Sequence, residues 1–302
     1  MPDARAAGQI FDIGYQHYDG PRLGRGHGIW TLITFSFRSA FGEGRGARGR
    51  IIPLVVIALV YLPVVIQIVI AAVSGQPDQI SYARQLEFVG LFIALFTAAQ
   101  APEVIVTDRQ FGVLPLYMSR SIRSTDYAIA KLLSFVGALL VLTLGPELAL
   151  FLGKILLSAT PWTAFRGEWK SLGPILGGTV LAALYVATIG LALASLAARR
   201  AYASAAVIAF FILMPALAGI SRHLLPGDAA RYATLGSPFQ VMTGFAQWLF
   251  DVQAGPVRVF RGRRALAEVI SPVPGYLCLY VMLGTCVAGI ALLAFRFRSN
   301  EE

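Results

Sequence analysis

The sequence predicts an all-α integral membrane protein with six transmembrane helices. Of its 302 residues, 57% are hydrophobic and only 14% charged, with a mean hydropathy of +0.68. Soluble domains carry about 25% charged residues. Six apolar segments, 51–73, 86–106, 130–157, 173–198, 203–225 and 276–297, each supply the roughly 20 residues that cross a bilayer core about 30 Å thick. The alternating ten-residue segments of a membrane barrel do not occur.

The first 50 residues form a separate cytoplasmic segment, and 51–302 form one membrane domain without internal repeats. The first 28 residues hold no apolar run of signal-peptide type, so the first span is expected to direct its own insertion. Residues 29–41 (IWTLITFSFRSAF) place Trp30, Ile33, Phe37 and Phe41 at helical spacing, with Thr31, Thr34 and Arg38 opposite. This predicts an interfacial helix on the inner leaflet, anchored by Trp30, Phe37 and Arg38. A short soluble helix packed on a partner is the alternative.

Basic residues set the orientation. With the N-terminus inside, fifteen of the 25 Lys and Arg fall in cytoplasmic segments and four in short external loops. The other six lie in 222–275, and long loops translocate with little regard to charge. Both termini are therefore expected inside. The net charge of +9 reads as loops facing anionic lipid, not as a nucleic-acid surface.

Within the segment before the last span (226–275), Ser237 and Pro238 form an N-cap and first-turn pair. The run 239–250 is too short to cross and predicts an external re-entrant or interfacial helix. Residues 255–264 read as a polar, basic loop. Cys278 and Cys286, about 12 Å apart along one helix, cannot form a disulfide.

Chemistry-bearing motifs are few. The chain has no G-x-x-x-x-G-K-[ST] phosphate loop, so it is not expected to hydrolyse ATP itself. His17 with Asp12 and Asp19 is a nominal ligand set better explained as a solvated polar tail, and no metal site is predicted. Glu147 follows Pro146 near the middle of the third span, where a bare carboxylate costs roughly 2.5–3.5 kcal/mol or more. It lines a transport pathway or pairs structurally; Lys154 lies two turns on but can snorkel outward. Glu103, close to Asp108 and Arg109, is expected to make a local ion pair. In the fourth span Gly178, Ala182, Ala183, Ala187, Gly190 and Ala194 form a stripe permitting close helix approach. In the fifth, Phe210, Phe211 and Met214 precede a kink at Pro215 and either line an apolar cavity or pack on neighbours.

The connector between spans two and three (107–129) is the informative stretch. It reads TDRQFGVLPLYMSRSIRSTDYAIAKLL into the third span, with an acidic-basic pair, a glycine, a leucine-rich stretch, a polar turn and a lysine. Arg120 and Arg123, among helix-cap residues, could bridge to an acidic partner groove; a solvated loop obeying the positive-inside rule is the alternative. The connector, the preceding amphipathic helix, the six spans and SPFQVMTGFAQWLF resemble the permease subunits of type-2, daunorubicin-resistance-like ATP-binding-cassette exporters. The matching connector positions are Asp108, Arg109, Gly112, Leu114, Leu116, Ser119 and Lys131. The N-terminal FDIGYQHYDGPRLGRG departs from that pattern; it is an added ATPase contact or a tail on the membrane surface.

The resemblance implies a coupling helix docking on a separate ATPase, which binds ATP and magnesium, and a unit of two permeases (identical or paralogous) with two ATPases. The reading is thus an exporter permease of the bacterial plasma membrane, moving a hydrophobic or amphipathic substrate outward. Asp108, Arg109, Gly112, Leu116, Arg120 and Arg123 are the candidates for coupling; Glu147, Phe210, Phe211 and Met214 are those for the pathway. An ATPase-coupled membrane anchor or sensor is the alternative, and an intramembrane lipid-modifying enzyme a more distant one.

Overall fold

The computed structural model describes residues 23–76, 80–113, 117, 122–252, 257–261, 266–270 and 273–298. The N-terminal FDIGYQHYDG segment, Leu114, Leu116, Ser119 and Arg120 lie outside the described residues. Among the described residues, six helices are long and apolar enough to cross a membrane, matching the six predicted segments. They run within α2 (Gly46–Ser74), α3 (Tyr82–Gln110), α4 (Ser124–Leu156), α6 (Leu172–Leu196), α7 (Arg200–Leu224) and α10 (Gly275–Arg298). Shorter helices are α1 (Arg25–Ala40), α5 (Pro161–Glu168), α8 (Gly227–Ala233) and α9 (Pro238–Leu249).

The six spans form two classes. The apolar windows of α3, α4 and of α5 with α6 are 78%, 61% and 72% buried within the protein, against 22% in each of α2, α7 and α10. The first group is the core and the second its sheath, whose exposed side chains (Leu54, Ile66, Leu213, Val287) are the apolar faces lipid requires. The small-residue stripe explains the core: Ala182, Ala183, Ala187 and Ala194 are fully buried on α6. At Gly190 a Cβ would collide with the Thr97 methyl of α3. Gly190→Val should therefore destabilise the protein by about 1–3 kcal/mol, read as a lower melting point in detergent. Gly177→Val, where nothing lies within 4 Å of the Cβ position, should not; equal losses would show that Gly190 is no contact point.

Four buried hydroxyls are satisfied within their own helices. Thr143 donates to Leu139 O (3.1 Å), Thr179 to Ile175 O (2.7 Å), Thr188 to Tyr185 O (2.9 Å) and Ser195 to Ala192 O (2.7 Å).

Helix α1 packs on α4 and α3. Its inward face is Ile29, Leu32, Ile33, Ser36, Phe37 and Ala40. Phe37 and Phe41 meet edge-on at 5.2 Å, and Phe41 continues to Phe96 at 5.8 Å. Trp30, with the outward Phe35, is 62% exposed. Of the three residues assigned to membrane anchoring, Trp30 and Arg38 thus face outward while Phe37 packs within the protein. The predicted cap of α9 is present: the Ser237 hydroxyl accepts from the Gln240 N–H at 3.4 Å, with Pro238 in the first turn.

The stretch 255–264, read as a loop, instead contributes a strand. Residues Val257–Arg261 (β1) pair antiparallel with Leu266–Ile270 (β2), Val257 opposite Ile270. Val257 and Val259 alternate with Arg258 at strand period, and the arginine content obscured that alternation. Helix α5 was likewise not foreseen; Pro161 occupies its first turn and its Trp162 and Phe165 rings stack at 5.8 Å.

Candidate functional site

The end of the bundle where α3 stops and α4 begins concentrates the buried charge. Helix α3 ends because Gly112 adopts a left-handed conformation (φ +64°). The Gly112 N–H reaches Arg109 O at 3.3 Å and the Val113 N–H reaches Asp108 O at 3.1 Å, closing a Schellman motif. Helix α4 opens on the opposite device. The Asp126 carboxylate accepts from the Arg123 N–H at 3.0 Å, the returning half of a capping box. Both ends of the connector are thus fixed by local backbone chemistry.

Side chains then tie those ends to the core. Asp108 Oδ2 accepts from Lys131 Nζ at 2.7 Å and from the Tyr127 hydroxyl at 2.8 Å. The Lys131 side chain is 3% exposed and that of Asp108 13%, so the pair is stable only because each neutralises the other. Tyr127 is fully buried and packs edge-on against Phe297 of α10 at 5.0 Å. It also faces Tyr117, whose hydroxyl is raised above its ordinary range by burial and then by the charge of Asp108. Arg109 donates to Ser195 O at 2.8 Å, satisfying a carbonyl in the last turn of α6.

A second set gathers on Glu103. Its carboxylate takes Arg45 at 3.1 Å and Arg200 on its other oxygen, and Arg45 also reaches Gln100 at 2.9 Å. Burial lowers the Arg45 guanidinium from its ordinary value. The expected ion pair therefore exists, but its partners come from the segment before α2 and from the start of α7, not from neighbouring Arg109. A third contact joins α1: Arg25 binds Asp126 through two bonds of 2.9 and 2.7 Å. That hydrogen bonding, then the carboxylate charge, raises Arg25. Ile122 completes the seam, touching the Cβ position of Gly28 at 3.3 Å.

The coupling candidates therefore divide. Asp108 and Arg109 point inward, Gly112 stops a helix, and Arg123 is exposed at a helix start. Lys131 and Tyr127 prove to be the hub. From sequence alone, Tyr127 has no role and Arg25, Arg45 and Arg200 count as cytoplasmic charges; for Tyr127, Arg45 and Arg200 the place beside span ends is the available signal.

The pathway candidates are not brought together. Glu147 lies on α4, 1% exposed, and among the described residues neither carboxylate oxygen has a hydrogen-bond partner. Lys154 instead pairs with Glu168 of α5 at 2.6 Å. Phe210, Phe211 and Met214 lie on α7, which packs chiefly on α3 and α6. Phe210 and Phe211 meet edge-on at 5.6 Å, and Phe211 continues onto Phe239 of α9 at 5.8 Å. Among the described residues, no cluster of three His, Cys, Asp or Glu is positioned to hold a metal. No protein-family model matches the chain, and no curated protein matches it.

Proposed function

We propose that this chain is the permease subunit of an ATP-driven exporter in a bacterial plasma membrane, with both termini and the 107–129 connector cytoplasmic. Two copies, or this chain and a paralogue, would work with two ATP-binding-cassette ATPase chains that carry ATP and magnesium. The chain itself performs no chemistry. It carries a hydrophobic or amphipathic substrate outward as the spans alternate their access.

The observation that best supports this reading is the fastening of the connector at both ends. A force on it reaches α3 and α4 through Asp108 and Lys131, α6 through Arg109, α10 through Tyr127 and α1 through Asp126. A loop serving only topology has no need of a buried ion pair joining the helices it connects. A lever pushed by another chain does, because a compliant attachment would absorb the stroke.

The test is co-purification. Gently solubilised tagged chain should bring down an ATPase and stimulate its hydrolysis; recovery of neither overturns the proposal. Arg120→Glu combined with Arg123→Glu should abolish that complex while membrane insertion persists. Normal assembly by the double variant would remove the connector from the interface.

A further inference from the structure

A second site lies at the opposite end of α7, independent of the export reading. Pro215, Ala218, Gly219 and Arg222 fall at i, i+3, i+4 and i+7 of that helix, one face. Opposite them stand Ser237 and Gln240 at the start of α9. Between the two helices is a cavity of about 270 Å³. Its existence follows from the residues: Ala218 and Gly219 are too small to fill the interhelical space, and nothing lies within 4 Å of where a Gly219 Cβ would point. A water's share of liquid volume is about 30 Å³, so the cavity accommodates a considerably larger group.

The chemistry of the walls is one-sided. The Arg222 Nε is shut off from solvent and, among the described residues, has no hydrogen-bond partner and shares the space with no carboxylate. The other basic residue there is His223. The Ser237 hydroxyl accepts the Gln240 N–H and keeps its own proton to donate; the Gln240 amide offers two more. A guanidinium whose Nε is buried without a partner is costly, and its planar fork matches a phosphate. Alongside, Leu217, Ile220 and Leu224 present an exposed apolar strip.

We propose that this cavity binds a phosphate group, with Arg222 as its counter-ion and Ser237 and Gln240 as hydrogen-bond donors. The phosphate belongs to a lipid headgroup, its tails along the apolar strip, or is free in solution. Native mass spectrometry of the full chain in a phosphate-free detergent, titrated separately with phosphatidic acid, diacylglycerol and inorganic phosphate, tests this. Phosphatidic acid should be retained and diacylglycerol not. Arg222→Gln should weaken retention at least tenfold, and Arg84→Gln, an exposed arginine elsewhere, should leave it unchanged. Gly219→Leu fills the cavity without touching the charge and should weaken binding equally; it keeps the test intact should the Arg222 variant fail to fold. Saturable binding of inorganic phosphate, lost in both variants, would identify a free anion as the ligand; lipid binding that phosphate does not displace would identify the headgroup. Equal retention of diacylglycerol and phosphatidic acid, or wild-type binding by Gly219→Leu, overturns the proposal.

Discussion

Lys131→Met should destabilise the folded bundle by about 3–5 kcal/mol, the loss that follows when one partner of a buried ion pair is removed. The methionine fills the same space, so the loss comes from Asp108, left buried with the Tyr127 hydroxyl as its remaining donor. Adding Asp108→Asn should restore much of the stability, because an uncharged pair carries no stranded carboxylate. Unfolding in mixed micelles followed by circular dichroism measures both. If the single variant loses less than about 1 kcal/mol, or the double variant loses as much as the single, then the pair is not the fastening described here.

Glu147→Leu should act in the opposite direction on stability and strongly on function. A carboxyl with neither oxygen hydrogen-bonded, 1% exposed, weakens the fold, and its replacement by an apolar side chain of similar size should stabilise by roughly 1–3 kcal/mol. Under the export reading the same variant should reduce transport by an order of magnitude or more, since an ionisable group inside a span is by default a functional one. Transport in vesicles containing the ATPase, set beside the melting point, separates the cases. Lower stability with unchanged transport would return Glu147 to a structural role.

Those two residues also mark how far the sequence could be read. The spans were legible because hydropathy over twenty residues is a local property, and so was the α6 stripe, whose spacing is that of one helix face. The Ser237 cap of α9 was local too. Glu103 shows where this ends: a carboxylate six residues from Arg109 suggests a neighbouring partner, yet Arg45 and Arg200 claim it across 58 and 97 positions of sequence. Only the packing of three helices brings those guanidinia together. The β1–β2 hairpin was missed for a different reason, since Arg258 and Arg261 made its alternation look like a solvated loop. Glu147 was recognised as exceptional, but not its lack of a partner, which depends on every helix around α4.

The hydroxyls that bond within their own helices bear on how the protein is made. Thr143, Thr179, Thr188 and Ser195 ask nothing of a neighbouring span, so the helices carrying them can leave the translocon one at a time without a penalty for these groups. The charges at the connector end cannot. Asp108 emerges from the ribosome before Lys131, so that carboxylate of α3 waits for its counter-charge until α4 is synthesised, whereas Glu103 follows Arg45 and gains Arg200 only later. Assembly is thereby given an order: Asp108 of α3 is neutralised when α4 is made, and Lys154 of α4 when α5 follows.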